Sequence, residues 1–503
     1  MNYPTVLKAL ATGLLSTTMS LTAFAAWAVE AVDHVTVSLP APTQSIDPTG
    51  SVSATDRAFY SLTNGTLTRT QIDGSIVPGL AESIVFNGDF TAATVTLRPG
   101  LKFSDGTPIT GQDVAATFMR HKSVEGSVLG AMMNRIASAE ATGELTTEFT
   151  FANPFPSFGD FASSGAYGIY PAAGIGSEGF FEAPVTSGPY KFTSGWASNK
   201  IELTANENYG GPKPAAATLT LSIIEDANSA ISQLQAGQLD YAGDLPPNFI
   251  PQLQGAPGIT VTAVPVYGFY DLRMWNQSGI MADVNIRKAV SLALDRNAIV
   301  RSIWGESNQP LAGFWPQSMA WHAQVSTEQD LEGAKALLAG TACESGCSIR
   351  MMYSDQEFAF SSQLALVVQN QLKAIGIDVQ LERLDAATLV QRLRAGDYDM
   401  VPGAMAAPAN IPDPLLANAL LGTGALKAEF TGYNSPEMDA LIARVNQSAD
   451  ADRAAAAAEL EALFAKDAPY ATLAPWVRIG ASRLPEGTVS LVGTGVVVGD
   501  LTE

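Results

Sequence analysis

TVTLRPGLKFSDGTPITGQDVAATF, residues Thr94 to Phe118, packs a strand, two turns and a helix start into one short segment. TVTL alternates polar and apolar side chains as a strand does, and Arg98, Pro99 and Gly100 then supply a turn. LKF reads as a second short strand. In SDGTPIT, Asp105 and Gly106 suit a tight turn, and Thr110 is placed to cap a helix that begins near Gln112 and Asp113. Asp113 falls in the first helical turn, where the helix dipole favours a carboxylate. A strand, turn and helix corner of this kind holds shape, so Asp105 and Asp113 read as scaffold.

Working outward, the length of 503 residues exceeds what one core serves and predicts two or three domains. Residues 1–28 read as a secretory signal peptide. Lys8 gives a weakly positive start, an apolar run extends from Ala9 to Ala25, and small residues mark cleavage between Ala25 and Ala28. Thr12, Gly13, Ser16, Thr17, Thr18 and Ser20 interrupt that run, and no later one approaches the ~18 to 20 apolar residues of a spanning helix. No membrane insertion is expected. No cysteine precedes Cys343, so the signal lacks the lipid-accepting cysteine of a lipoprotein, and a free periplasmic protein is expected.

Cys343 and Cys347 lie in the loop ACESGCS, where the oxidising compartment predicts a local disulfide. His34, His121 and His322 are scattered, so neither a metal site nor any cofactor is expected. A net charge of -21 argues against nucleic acid and anionic membrane as partners. HExxH, GxxxxGK[ST] and GxSxG are absent, and no enzyme is predicted. GTGVVVG near Gly493 has the wrong spacing for a dinucleotide loop and reads as a terminal strand.

Further landmarks occur in order. HVTVSLP reads as a strand leading to SIDP, with a helix around Thr55 to Leu62. NGTLTRTQIDGSIVPGLAES, APVTSGPYKFTSGW and IELTANENYGGPKP follow. A helix is predicted over Ile224 to Leu239, and a single one over VNIRKAVSLALDRNAIVRSIWG, with Ile286, Ala289, Val290, Leu292, Ala293 and Ile299 as its buried stripe. Helices over Asp330 to Leu338, Ala359 to Ile375, Pro436 to Val445 and Ala451 to Lys466 precede DAPYATLAPWVR.

From Val35 to Arg483 these landmarks, with LRPGLKFSDGTPIT, resemble the extracytoplasmic solute-binding proteins of family 5, which serve peptide, nickel and opine ABC importers. The resemblance implies an α/β, two-lobed periplasmic binding protein fold of type II, cluster C, with an inserted subdomain and a hinge. Lobe I would comprise 29–66, 184–272 and 479–503, the inserted subdomain 67–183, and lobe II 273–478. It further implies a small peptide or peptide-like cargo, an inner-membrane ABC permease as partner, and a monomer.

Segments that line the cleft in relatives carry Gln44, Ser45, Arg57 and Ser127, then Asp244 in DYAGDLPPN. In VYGFYDLRMWN, Tyr267, Phe269, Asp271, Arg273 and Trp275 share one face of the strand and Tyr270 the other. That pattern is either a ligand-facing surface or a core stripe with an internal Asp271 to Arg273 pair. Trp315, Tyr353, Asp355, Gln356, Trp476 and Arg478 complete the candidates. Peptide-binding relatives carry a tryptophan and an acidic residue after the Tyr-Asp strand, the acid pairing with the cargo's amino terminus. Here YDMVPGAMAAPANIPDP puts Met405 and Pro408 at those places. The anchor is missing unless Asp355, Asp244 or Asp413 substitutes, which favours modified peptides, opine-like conjugates, small oligosaccharides or a nickel chelate. A secreted hydrolase on a related scaffold is the alternative from another class.

Overall fold

The computed structural model describes residues 29–499 apart from 52, 72–74, 195–198, 306–307, 316–320, 322–324, 359, 408–415, 417–418, 422–430 and 494. The expected signal peptide, His322, Pro408 and Asp413 lie outside the described residues.

One ten-stranded sheet runs through both lobes. Its order is Ile377–Arg383, Cys347–Tyr353, Met400–Ala406, Thr260–Met274, Tyr470–Ser482, Tyr241–Ala242, Val32–Leu39, Ala216–Ile223, Lys200–Ala205 and Tyr190–Ser194. The two long central strands, Thr260–Met274 and Tyr470–Ser482, belong to both lobes. At one end Ser482 and Ala481 pair with Tyr241 and Ala242 of the first lobe. At the other, Gly268 to Met274 pair with Met400–Ala406 of the second. Between these ends their mutual ladder is interrupted, with Pro265 opposite Val477 and the next pair formed by Phe269 and Pro475. A proline on each strand, Pro265 and Pro475, flanks this interruption, and proline has no N–H to give a ladder.

The opening stretch lies in the first lobe. Ala92–Leu97 is a strand of a four-stranded sheet, between Ala81–Phe86 and Thr146–Phe151, with Ile136–Ala141 outermost. LKF does not become a strand: it makes only an isolated bridge from Lys102 to Pro108, while Leu101 and Phe103 turn inward. Thr107 donates to Asp105 across the turn and Gly106 takes φ 87°, a left-handed conformation suited to glycine. The helix Gly111–Ser123 buries Val114 and Phe118. Their cluster is continuous with Val35, Val37 and Leu39 of the large sheet, so the predicted insertion shares its core with the first lobe.

In the second lobe the sheet is covered on both faces. Leu272, Met274, Ile286, Ile299, Ile349 and Leu364 form one core. Phe269, Trp315, Met405, Leu460 and Phe464 form another, under the helices Pro436–Gln447 and Asp450–Asp467. The single helix predicted from Val284 is two, Val284–Leu292 and Arg296–Ile303. Asp295 breaks it by accepting the Ala298 N–H at 2.9 Å as a new N-cap. Cys343 and Cys347 are joined by a disulfide with Cα atoms 4.8 Å apart.

Candidate functional site

A cargo site in a two-lobed protein lies where the lobes face each other, beside the segments that join them. Each predicted residue can be placed relative to that passage.

In the first lobe, the loop after Val32–Leu39 is pinned from behind. Tyr60 donates its hydroxyl to the Ser45 carbonyl at 2.6 Å, Asp56 accepts the Gln44 N–H at 2.8 Å, and Arg120 grips Asp47 through both terminal nitrogens at 2.9 and 2.6 Å. This leaves the Gln44 side chain exposed and Ser45 half-buried, beside a surface hollow shared with Phe180 and Phe181. Ser127 accepts the Leu129 N–H at 3.2 Å, and the neighbouring Val128 N–H binds the Thr49 carbonyl, which ties the two loops together.

Arg57, on the helix Ala54–Thr63, sits in a charged group with Arg478, Asp244 and Asp56. Burial and the like charge of Arg478 lower its guanidinium to about 10, while Asp244 and Asp56 act in the opposite sense. Arg478 holds Asp244 in a fork, from Nε at 2.6 Å and a terminal nitrogen at 2.8 Å, and also donates to the carbonyls of Gly493 and Gly495. Burial opposes the charge of Arg478, but Asp244 more than offsets this and holds its pKa above the ordinary value. Both Asp244 oxygens are therefore committed to a guanidinium, in the strong bidentate geometry.

In the second lobe, Tyr353 ends the strand Cys347–Tyr353 half-buried. Asp355 accepts the Ser362 N–H at 2.9 Å and pairs with Arg383 at 3.0 Å, so this carboxylate too is committed. Gln356 accepts the Ala386 N–H at 3.1 Å. Beside them stands a column of rings. Tyr270 stacks on Trp304 at 4.3 Å and Trp476 stacks on Tyr270 at 5.8 Å, the planes within 20° and 22° of parallel. Phe360 meets Tyr270 edge-on at 5.3 Å, and Phe358 stacks on Phe360. Trp304 and Tyr270 are buried, while Trp476, Phe358 and Phe360 are partly exposed. Sequence reasoning missed Trp304, Phe358 and Phe360. The signal available was EFAF, an apolar pair in the turn directly after Asp355 and Gln356.

Other predicted contacts go to the core. Arg273 and Asp271 form an internal pair at 3.2 Å, with Arg273 also donating to the Ala404 carbonyl. Burial pushes the Asp271 carboxyl up to about 6 against the opposing charge of Arg273. Trp315 is fully buried and donates to the Ala457 carbonyl at 3.0 Å. Met405 lies opposite Phe269 in the same core, against which Tyr267 packs. Trp275 is turned to Tyr398, 5.5 Å away, and donates to Ser278. The internal Asp271 to Arg273 pair of the core-stripe reading is present and Phe269 is buried beside it, while Tyr267 and Trp275 at the ends of that face are only partly buried.

Among the described residues, no group of three or more His, Cys, Asp or Glu could hold a metal ion, and no helix is long and apolar enough to cross a membrane.

Comparison with known proteins agrees with this geometry. The probable D,D-dipeptide-binding periplasmic protein DdpA of Escherichia coli K12 is 27% identical over 388 residues, 74% of each chain. HbpA2 from Haemophilus parasuis shares the fold at TM-score 0.81 and 20% identity, over 93% of this chain and 100% of that one. AgaA from A. tumefaciens R10, solved with agropinic acid, has TM-score 0.73 at 22% identity, over 92% and 96% of the two chains. The family described as "Bacterial extracellular solute-binding proteins, family 5 Middle" matches residues 75–427. With that match over most of its length, the chain belongs to the family 5 bacterial extracellular solute-binding proteins.

Proposed function

We propose that the protein is the periplasmic cargo-binding subunit of an ABC importer, which closes over a peptide-like solute and delivers it to an inner-membrane permease. It works as a monomer, is secreted by a cleaved signal without a lipid anchor, and binds its cargo without transforming it. An exchange between the lobes at 265–269 and 475–477 is supported by the interruption of the ladder between the long strands there. A strand pair with few cross-strand bonds at that level can absorb a change of angle between the lobes.

The observation that carries the cargo assignment is the commitment of Asp244 to Arg478 and of Asp355 to Arg383. Both are already paired with a guanidinium, so an incoming ammonium would have to share or displace an arginine. This supports a cargo whose amino group is blocked or substituted, as in modified peptides and opine-type conjugates.

The test is mass spectrometry of ligand carried through gentle purification, paired with calorimetry against simple dipeptides. The expected result is a modified or conjugated solute, and no measurable heat with dialanine. An extract holding the cargo at 100 times its Kd should stabilise the protein by about 2.7 kcal/mol. Tight binding of unmodified dipeptides would overturn the cargo reading.

A further inference from the structure

The geometry points to a cargo with a planar apolar group, an aromatic side chain or ring, that stacks on Trp476. This rests on the solute-binding reading above and names the chemistry of its cargo.

Trp476 occupies an unusual place in the ladder. Pro265 is opposite Val477 and Phe269 opposite Pro475, so the three residues 266–268 face Trp476 alone. Extra residues on one strand make a bulge, which bends the pair and re-aims the facing side chain. The indole is therefore set by the same irregularity that lets the strands pass from lobe to lobe.

Its orientation is held from beneath. Trp304 and Tyr270 are buried to 1% and 5% exposure, and their near-parallel stack fixes the plane of the outermost ring. Phe360 wedges edge-on against both Tyr270 and Trp304, and Phe358 extends the apolar surface along the second-lobe loop. An aromatic face preorganised in this way loses little rotamer freedom when a second ring settles on it. Stacked or edge-on pairs contribute affinity beyond the area they bury.

The neighbouring charges leave this surface to apolar recognition. Arg478, two residues along the same strand, is committed to Asp244, and Asp355 beside Phe358 is committed to Arg383. A cargo placed here is selected by shape and ring character.

The test uses the full mature protein, Trp476→Ala and Trp476→Phe, titrated with N-acetyl dipeptide amides that carry alanine, leucine, phenylalanine or tryptophan at the second position. Wild type is expected to bind the aromatic probes on the order of 10-fold more tightly than the alanine probe. In Trp476→Ala that preference should disappear, and Trp476→Phe should keep most of it. The difference in emission between wild type and Trp476→Phe reports this indole directly and should change with aromatic probes. An equal affinity for all probes, a preference that survives in Trp476→Ala, or no binding of aromatic probes while a metabolite extract still raises Tm, each overturns the inference and leaves the solute-binding reading standing. An extract that leaves the Tm of wild type unmoved overturns the binding reading itself.

Discussion

At the scale of single residues, two buried titrating groups work in opposite directions. His121 is fully buried, and burial, with the charge of Arg120, lowers its imidazole to about 4 against the opposing influence of Asp47. Between about pH 6.5 and 4 the unfolded chain takes up a proton that the folded histidine refuses, so its contribution is lost as pH falls. Asp271 has a raised pKa of about 6. Across about pH 4 to 6 its folded form holds a proton that the unfolded chain releases, so its contribution is lost as pH rises. The two groups therefore contribute to the pH dependence of stability with opposite signs. Urea denaturation of His121→Phe should show about 2 to 3 kcal/mol less loss between pH 7 and pH 4.5 than wild type. An identical loss in the two proteins would contradict the assignment. The Asp271 to Arg273 pair was one of two readings of the sequence, because period-two alternation places both on one face. Alternation cannot say what lies above that face. Gly403 on the adjoining strand makes the room, since a Cβ there would sit 2.3 Å from Arg273 Nε and 2.6 Å from Asp271 Oδ1.

At the scale of elements, caps and turns were legible and breaks in phase were not. Thr110 and Asp113 open the helix Gly111–Ser123 as read: Asp113 Oδ2 accepts the Thr110 N–H at 2.8 Å and its hydroxyl at 2.7 Å. The other oxygen accepts the Ala172 N–H at 2.8 Å, joining this helix to a distant loop. Asp113→Ala should accordingly cost about 1 to 2 kcal/mol of stability by chemical denaturation. Cargo affinity, measured on the same preparation, should stay within about twofold, as befits scaffold; a large loss of affinity without loss of stability would make Asp113 a ligand contact. The split near Asp295 escaped the sequence because the apolar stripe continues across it. Arg296 holds the break from a distance, through the carbonyls of Ser291, Leu311 and Thr472.

At the scale of the whole molecule, the lobes touch away from the two long strands. Arg135, in the first lobe, lies over the Phe155 ring at 3.7 Å and donates to the Asn446 carbonyl at 3.2 Å, near the C-terminal end of the helix Pro436–Gln447. A cation is favoured at that end of a helix by its dipole. A contact between the lobes of this kind favours the arrangement in which it is made. Arg135→Ala should increase the radius of gyration in small-angle scattering without cargo and weaken cargo binding by roughly 2- to 10-fold. An unchanged scattering profile would show that this contact does not bias the lobes.

The sequence by itself determined the local order of strands, turns and caps, and through that order the family and the two-lobed fold. These features depend on backbone conformation and hydrogen bonds between residues a few positions apart, as at Asp105, Thr110 and Gly376, whose φ is 82°. Which aromatic and charged side chains are buried and which stay accessible is settled by tertiary packing. Trp315, Met405 and Arg273 lie in the core because the helices Pro436–Gln447 and Asp450–Asp467 and neighbouring strands cover them, while Trp476, at the register shift, is only partly buried. Depth is conferred by segments far away in the chain, and no short pattern carries that information.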